Sequence, residues 1–420
     1  MGGNTMLYNL LIHIMLALNF VATVYCLYEL MISIAAFHRQ KKPAQEPAVY
    51  HRFAVLVAAR NEESVIAPLI ESLKRQDYPQ DKLDIYVVAD NCDDRTADCA
   101  RRAGAIVFER FNRVEIGKGY VIRFALDKIL SDHDVYDAFC VVDADNLVDR
   151  EFVGWMNRAL CAGSDIAQGY RDMKNPTDNW ISGCHSLFYW MENRFYNQAR
   201  SMMGLSATIN GTAFMISRAY LRRNGFHMKT VTEDLELTIQ AAIRGYRVDW
   251  VPEAKVYDEQ PLTVSQSMRQ RTRWVRGFMQ VMVSYFREFI RSLVKHPSLV
   301  KLDILMFFIS MPMFFIGAGG AVISALLGVL CIFPPVGMAL NLVFLGFAAI
   351  GVFWIVAYLT VVLEDKDIHR MYKAVLAFPI FNVMWLPIYL RCCFRGKVEW
   401  KPIIHARNLS IQDIEATQSK

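Results

Sequence analysis

The stretch "AFCVVDAD" (138–145) is apolar for five residues and then turns abruptly acidic. An apolar run of that length, bounded by a polar turn, fits a strand buried on both faces. The pattern recurs upstream. "FAVLVAAR" (53–60) and "LDIYVVAD" (83–90) are apolar runs that end in polar turns, and "AIVFER" (105–110) is a shorter one. Between them lie segments of helical period: "SVIAPLIESLKRQ" (64–76) with Pro68 in its first turns, "TADCARRAG" (96–104), and "YVIRFALDKIL" (120–130). Strand and helix alternate with short connections, which predicts a parallel, doubly wound α/β sheet. Such sheets bind ligands at the carboxyl ends of their strands. Here the polar residues collect at those ends, in "ARNEE", "ADNCDD" and "DADN". The pattern fits a nucleotide-binding domain.

The rest of the composition points to a membrane. The chain has 420 residues, 54% of them hydrophobic, and a mean hydropathy of +0.20. That is too apolar for an ordinary soluble enzyme and leaves length for one large domain plus membrane segments. Residues 6–37 are mostly apolar, longer than the roughly 20 residues that cross a bilayer, and carry no cleavage-site pattern. A retained transmembrane helix is expected, with Glu29 and His13 near its ends or against other helices. The net charge of +5 is small, and basic clusters flank apolar runs in "HRQKK" (38–42) and "RCCFRGK" (391–397). This patterning marks cytoplasmic membrane edges rather than a nucleic-acid stripe. It puts the N terminus outside and the α/β domain in the cytoplasm of a multi-pass plasma-membrane protein. Nine scattered cysteines without a CxxC pair fit a reducing compartment and argue against a disulfide framework or a structural zinc site. Cys392 and Cys393 read as apolar filler.

A polar linker (40–51) enters the α/β domain. From 150 to 260 helices are expected at 151–161, 180–203 and 234–244, with strand-like runs at 212–217 and 247–251. After Pro261 a helix carries Trp274, Phe278, Val281, Tyr285 and Phe289 as an apolar stripe, with Arg276, Arg287, Arg291 and Lys295 on the other side. That is the pattern of a basic-faced amphipathic helix at a membrane surface. Apolar segments follow at 303–333, 340–363 and 373–392, the third interrupted by Pro379 and Pro387. The expected divisions are a transmembrane helix (1–38), an α/β domain (51–261), an interfacial helix region (262–300), membrane segments (301–392) and a cytoplasmic tail (393–420).

The chemistry-bearing residues sit at element ends. Asp143 and Asp145, two positions apart where a strand stops, suit a hard divalent cation whose remaining ligands are substrate phosphates; a solvated Asp-Asn turn has the same letters. Asp90 can accept hydrogen bonds from a base or ribose, whereas Asp93 or Asp94 can cap the helix near Thr96. Lys118, between glycines in "GKGY" (117–120), can meet a phosphate or a carboxylate. In "TVTEDLEL" (230–237), Thr230 and Glu233 have capping-box spacing, which leaves Asp234 free to deprotonate a hydroxyl. In "QRTRW" (270–274), Gln270, Arg273 and Trp274 stand at i, i+3 and i+4 on one helical face. An arginine there can hold a pyrophosphate, a tryptophan can stack on a sugar ring, and a glutamine can bond to hydroxyls. Trp274 also starts the apolar stripe.

Aspartate after an early strand, then DxD, TED and QxxRW before a membrane helix, resembles the membrane-bound family 2 glycosyltransferases, which include the cellulose, hyaluronan, chitin and poly-N-acetylglucosamine synthases. The resemblance spans roughly residues 50–300 and the membrane layout. It implies an α/β glycosyltransferase-A (Rossmann-like) fold and inverting transfer from a UDP-sugar with Mg²⁺ or Mn²⁺. It further implies that Ala59, Arg60, Glu62, Asp90 and Lys118 cradle the nucleotide, and that Asp143 and Asp145 serve diphosphate and metal. Asp234 would be the base, while Gln270, Arg273 and Trp274, with Glu233 beside them, hold diphosphate and acceptor. "NGTAF" (210–214), through Asn210, Gly211 and Thr212, resembles the small-residue loop lining the acceptor or donor-sugar site. The expected product is a β-linked polysaccharide built on a growing glycan at the bilayer, with an accessory subunit or oligomer allowed and no nucleic acid involved. A glycolipid synthase that adds one sugar to a lipid acceptor fits the same motifs. A nucleotide-sensing membrane receptor would need neither base nor acceptor-facing tryptophan.

Overall fold

The computed structural model describes residues 2–38, 49–132, 135–329, 350–394, 409 and 411–418. Its centre is an eight-stranded sheet of β1 (Phe53–Ala59), β2 (Leu83–Asp90), β3 (Ile106–Arg110), β4 (Ala138–Asp143), β5 (Leu147–Val148), β6 (Ile166–Met173), β7 (Phe214–Ser217) and β8 (Asp249–Asp258), in the order β3-β2-β1-β4-β7-β6-β8-β5. The first four strands pair in parallel, in the register Val57↔Val87 and Val57↔Val142. Their residues alternate between two cores. Leu56, Val88 and Val141 face helix Lys118–Asp132; Val57, Val87 and Val142 face helices Ile66–Lys74 and Phe152–Cys161. Burial on both faces is why these strands read as unbroken apolar runs. Pro68 lies in the first turn of its helix, where the missing N–H has no partner to lose.

The sheet is not wholly parallel. β7 runs antiparallel to both β4 and β6, β8 is parallel to β6, and β5 is antiparallel to β8. β6 carries no strand signal because its sequence, "IAQGYRDM", is polar although every residue is buried. β8 extends from the expected 247–251 to Asp258, so "YDEQ" also ends a strand.

Among the described residues, three helices are long and apolar enough to cross a membrane: Ile12–Phe37, Leu299–Gly317 and Ile368–Phe394. The helix Ile350–Leu363 belongs to the expected second C-terminal segment, whose first half lies outside the described residues, as do residues 330–333 of the first. Most of "HRQKK", of the linker and of the tail beyond 394 lies outside them too. The third segment breaks at Met384 into Ile368–Val383 and Trp385–Phe394. Met371, Ala374, Phe378 and Phe381 pack into the domain core, while Tyr372, Leu376, Ile380 and Val383 stay exposed.

Helix Val264–Lys295 opens with a capping box between Thr263 and Gln266. Its stripe is covered by protein: Val281, Tyr285 and Phe289 pack on Ile239, Ala242, Ile304 and Phe308. Arg287, Arg291 and Lys295 are exposed as expected, but Arg276 is half-buried and faces the cavity described below. The helix comes close enough to residues 230–232 that a Cβ on Gly277 would meet the Thr232 Cγ2 at 2.1 Å.

Candidate active site

The carboxyl ends of β1, β2 and β4 open into a cavity of about 1720 Å³ that continues towards the membrane-type helices. At its sheet end the turns after β1 and β2 are stitched together. Thr96 accepts from the Glu62 N–H at 2.8 Å, and Asn61 accepts from the Asp93 N–H at 2.9 Å. The N-cap position is Arg95, and of the two aspartates it is Asp94, one residue earlier, that takes the Thr96 N–H at 3.0 Å. Ala59, Arg60, Glu62 and Asp90 all line the cavity. Asp90 is buried against Arg110 at the end of β3, whose guanidinium donates to it at 2.6 Å. That partner is a residue the sequence did not single out.

Lys118 is the electrostatic centre. Its ammonium pairs with Asp143, donates to the Gly211 carbonyl at 2.5 Å, and lies 3.8 Å from Glu233. Burial opposes its charge, but Asp143, Glu233 and Asp234 outweigh that and raise its pKa. Glu233 therefore faces Lys118 and closes no capping box. Thr230 bonds instead to Glu236, through its N–H at 2.7 Å and its hydroxyl at 2.8 Å. The helix starts at Glu233, one residue earlier than expected, with Thr232 as N-cap.

Asp234 accepts the Leu235 N–H at 2.8 Å and lies beside Gly211, where an added Cβ would come 3.4 Å from its Oδ2. Gly211 has φ +93°, a conformation that favours glycine. Burial raises the pKa of Asp234, against the Leu235 N–H and the charges of Lys118, Arg273 and Arg171. Burial also pushes Glu233 up to about 7, with Lys118 opposing and Asp234 adding.

The "DADN" turn is braced from the loop before β7 and from the end of β8. The Asp143 N–H donates to Thr212 at 3.1 Å, Thr212 donates to Asn146 at 2.5 Å, and Asn146 donates to Asp258 at 3.1 Å. Thr212 is fully buried and braces this turn from behind without lining the cavity, whereas Asn210 and Gly211 line it. Both amide atoms of Asn210 are buried without a hydrogen-bond partner. Asp143 and Asp145 line the cavity with only oxygen ligands to offer, and among the described residues no group of three or more His, Cys, Asp or Glu side chains forms a metal cage.

Arg171 of β6, also unread from the sequence, ties the wall together. It donates to Asp258 and to the Asn210 carbonyl at 2.7 Å, and its guanidinium lies 4.1 Å over the Tyr189 ring. The signal that would have found it is Asp258, a carboxylate at a strand end like the others.

The roof is helix Val264–Lys295. Gln270, Arg273 and Trp274 line the cavity together, and the buried Gln270 Oε1 has no partner. Trp274 stacks on Phe188 at 5.9 Å and 19° and meets Tyr189 edge-on at 5.9 Å. The two arginines of "QRTRW" differ. Arg271 is fully buried and donates to the Phe381 carbonyl at 2.9 Å, while Arg273 is exposed to the cavity.

Residues 51–277 match the family described as "Glycosyltransferase like family 2". The probable glycosyltransferase YdaM of Bacillus subtilis (strain 168) is 30% identical over 282 residues, which is 63% of this chain and 64% of that protein. The beta-monoglucosyldiacylglycerol synthase of a Synechocystis strain is 25% identical over 57% of this chain and 50% of its own length. Hyaluronan synthase 3 of Homo sapiens is 27% identical over 37% and 29%. The chain thus spans less than two thirds of the length of these curated relatives. A mannosyltransferase from Pyrobaculum calidifontis, solved with GDP-Man and Mn²⁺, superposes with a TM-score of 0.59 at 18% identity, over 88% of this chain and 99% of that one. It shares the glycosyltransferase-A fold.

Proposed function

Because the chain belongs to the glycosyltransferase-like family 2, we propose that it is an inverting membrane glycosyltransferase that uses a UDP-sugar to extend a β-linked polysaccharide. The observation that carries this reading is the convergence of Lys118, Asp143 and Asp234 on one cavity roofed by Gln270, Arg273 and Trp274. An inverting transfer needs a base on the acceptor side and positive charge on the departing diphosphate. Asp234 meets the first need, and Lys118 and Arg273 the second. Ala59, Arg60, Glu62 and Asp90 form the nucleoside end of the cavity. Asn210, Gly211, Glu233, Gln270 and Trp274 form its acceptor end, with Thr212 supporting the loop from behind.

Asp143 and Asp145 fit Mg²⁺ or Mn²⁺ as a partial, all-oxygen donor set that a diphosphate completes, and the ammonium beside Asp143 marks a position favourable to a cation. A bound divalent ion supplies charge to the diphosphate. Asp143 and Asp145 would hold the ion and, through it, that end of the donor.

The cavity volume exceeds what one donor needs, and its lining reaches Glu29, Ser33, Phe307, Ser310 and Tyr389 on the membrane-type helices. That continuity supports an acceptor arriving from the bilayer side, with the α/β domain on the cytoplasmic face. A second reading, transfer of one sugar to a membrane lipid, is favoured by the tight packing of the N-terminal helix on Leu299–Val329. A Cβ on Gly320 would meet Asn19 Oδ1 at 2.5 Å, which leaves no lumen between these two helices. Membranes carrying the chain, incubated with Mn²⁺ and labelled UDP-sugars, separate the outcomes: polymer, a single-sugar lipid, or unreacted nucleotide sugar. The last contradicts the transferase reading.

A further inference from the structure

The helix that starts at Trp180 changes its winding at Glu192, and Glu192–Gln198 is a π-helical segment. Such windings are rare and concentrate at functional positions. Its other polar residues have structural partners. The Asn193 amide donates to the Arg171 carbonyl at 3.0 Å, and Arg194 pairs with Glu364 at 2.9 Å. Asn197 accepts the Thr208 N–H at 2.9 Å, and Gln198 donates to the His38 carbonyl at 2.7 Å. The Glu192 N–H bonds to the Phe188 and Tyr189 carbonyls, but among the described residues no hydrogen bond or ion pair holds its carboxylate. Glu192 is half-buried on the cavity wall and no structural partner claims its carboxylate, which leaves that group open to a ligand in the cavity.

Its surroundings say what it serves. The helix runs from Tyr189, beside Arg171, through Glu192 to Tyr196, whose ring meets Phe307 of a membrane-type helix at 6.0 Å. Glu192 lines the cavity on that path. Burial pushes its carboxyl up to about 7, with Arg171 opposing and Asp234 adding; Tyr189 is the titratable neighbour on its own helix. A carboxylate offers acceptor sites only, and its bonds to O–H donors are charge-assisted.

Resting on the transferase reading, we infer that Glu192 determines acceptor specificity. Its carboxylate receives hydrogen bonds from the hydroxyl-rich end of the acceptor, in the same cavity as Asp234.

The full chain in mixed micelles, assayed with saturating UDP-sugar and with cellotetraose or octyl β-glucoside as acceptor probe, tests this, with UDP affinity in Mn²⁺ measured by calorimetry on the same samples. Glu192→Ala is expected to raise the acceptor KM about tenfold, the loss of a charge-assisted hydrogen bond, while kcat and UDP affinity hold. Glu192→Gln keeps one oxygen acceptor and gives a smaller rise; it carries the measurement if the alanine variant does not fold. An unchanged acceptor KM in the glutamine and alanine variants overturns the inference. So does a parallel loss of UDP affinity, the mark of a merely structural role, and so does a wild-type chain that uses neither probe. Failure of the wild-type chain to bind UDP overturns the transferase reading itself, and this inference with it.

Discussion

Asp234 shares its burial with Glu233 and faces Lys118, Arg171 and Arg273, so its charge state is set by competition between desolvation and three cations. If it is the base, Asp234→Asn keeps the shape and removes the proton acceptor. Transfer should fall by about 10²–10⁴-fold, the range general bases contribute, while UDP affinity stays within about twofold. A turnover assay paired with calorimetry checks this, and normal turnover removes the assignment. The pH dependence follows from the direction of the shift. A base acts deprotonated, and burial raises its pKa, so kcat/KM should decline on acidification before the pH of about 3.9 at which an ordinary aspartate titrates. A profile flat down to pH 4 contradicts this. Asp90, Asp143 and Asp234 were legible because each stands at the end of a periodic segment. Arg110 and Arg171 were not, since their roles come from pairing with Asp90 and Asp258 across the sheet, which no local pattern encodes.

At the scale of elements, the position of the roof helix depends on an absent side chain. Gly277 faces Thr232, whose Cγ2 and Oγ1 would lie 2.1 and 2.5 Å from an added Cβ. Both are atoms of a short, stiff side chain on the residue that precedes helix Glu233–Ile243, so neither can swing away freely. Gly277→Ala should therefore push the Arg273–Trp274 face away from Asp234. Helix propensity alone would make that change favourable by about 1 kcal/mol, so loss of transfer without loss of stability identifies displacement as the cause. A loss of roughly tenfold or more is expected, since small misplacements of positioning groups are costly. Adding Thr232→Gly removes both blocking atoms and the Cβ at 2.9 Å, and should restore most of the rate. If the double variant stays as slow as the single one, steric displacement is not the reason. This contact joins two segments that are each visible in the sequence, yet their approach is not. The missed β6 is the complementary case. Its Gln168, Arg171 and Asp172 are buried through bonds to Thr212, Asp258 and Trp190, so hydrophobic periodicity carries no trace of the strand.

At the scale of the whole molecule, the cavity is bounded by the α/β domain on one side and by membrane-type helices on the other. Ion pairs fasten the two: Arg194 with Glu364, Lys366 with Asp172, and a network around Arg200. Arg200, fully buried, follows the π-helical segment and donates to Glu29 of the N-terminal helix at 3.1 Å and to Asp303 of helix Leu299–Val329 at 3.0 Å. Its guanidinium lies 3.5 Å over the Tyr196 ring, and Tyr28 donates to Asp303 at 2.6 Å. From the sequence, Glu29 is expected near the end of its apolar run or against other helices, and it does meet other parts of the chain. Its partner lies 171 residues away along the chain. Removing one member of a buried ion network is worse than removing the whole, because the remaining charges stay desolvated. Arg200→Met should therefore destabilise the chain by about 3–5 kcal/mol, read as a thermal midpoint in detergent lowered by roughly 10 °C. Combining it with Glu29→Gln and Asp303→Asn leaves no buried charge and should recover much of that loss. UDP binding should persist in the triple variant, since Asp90, Lys118 and Asp143 lie at the other end of the cavity. A triple variant no more stable than Arg200→Met would mean that the arginine acts through packing on Tyr196, and that charge pairing is not what ties the membrane helices to the α/β domain.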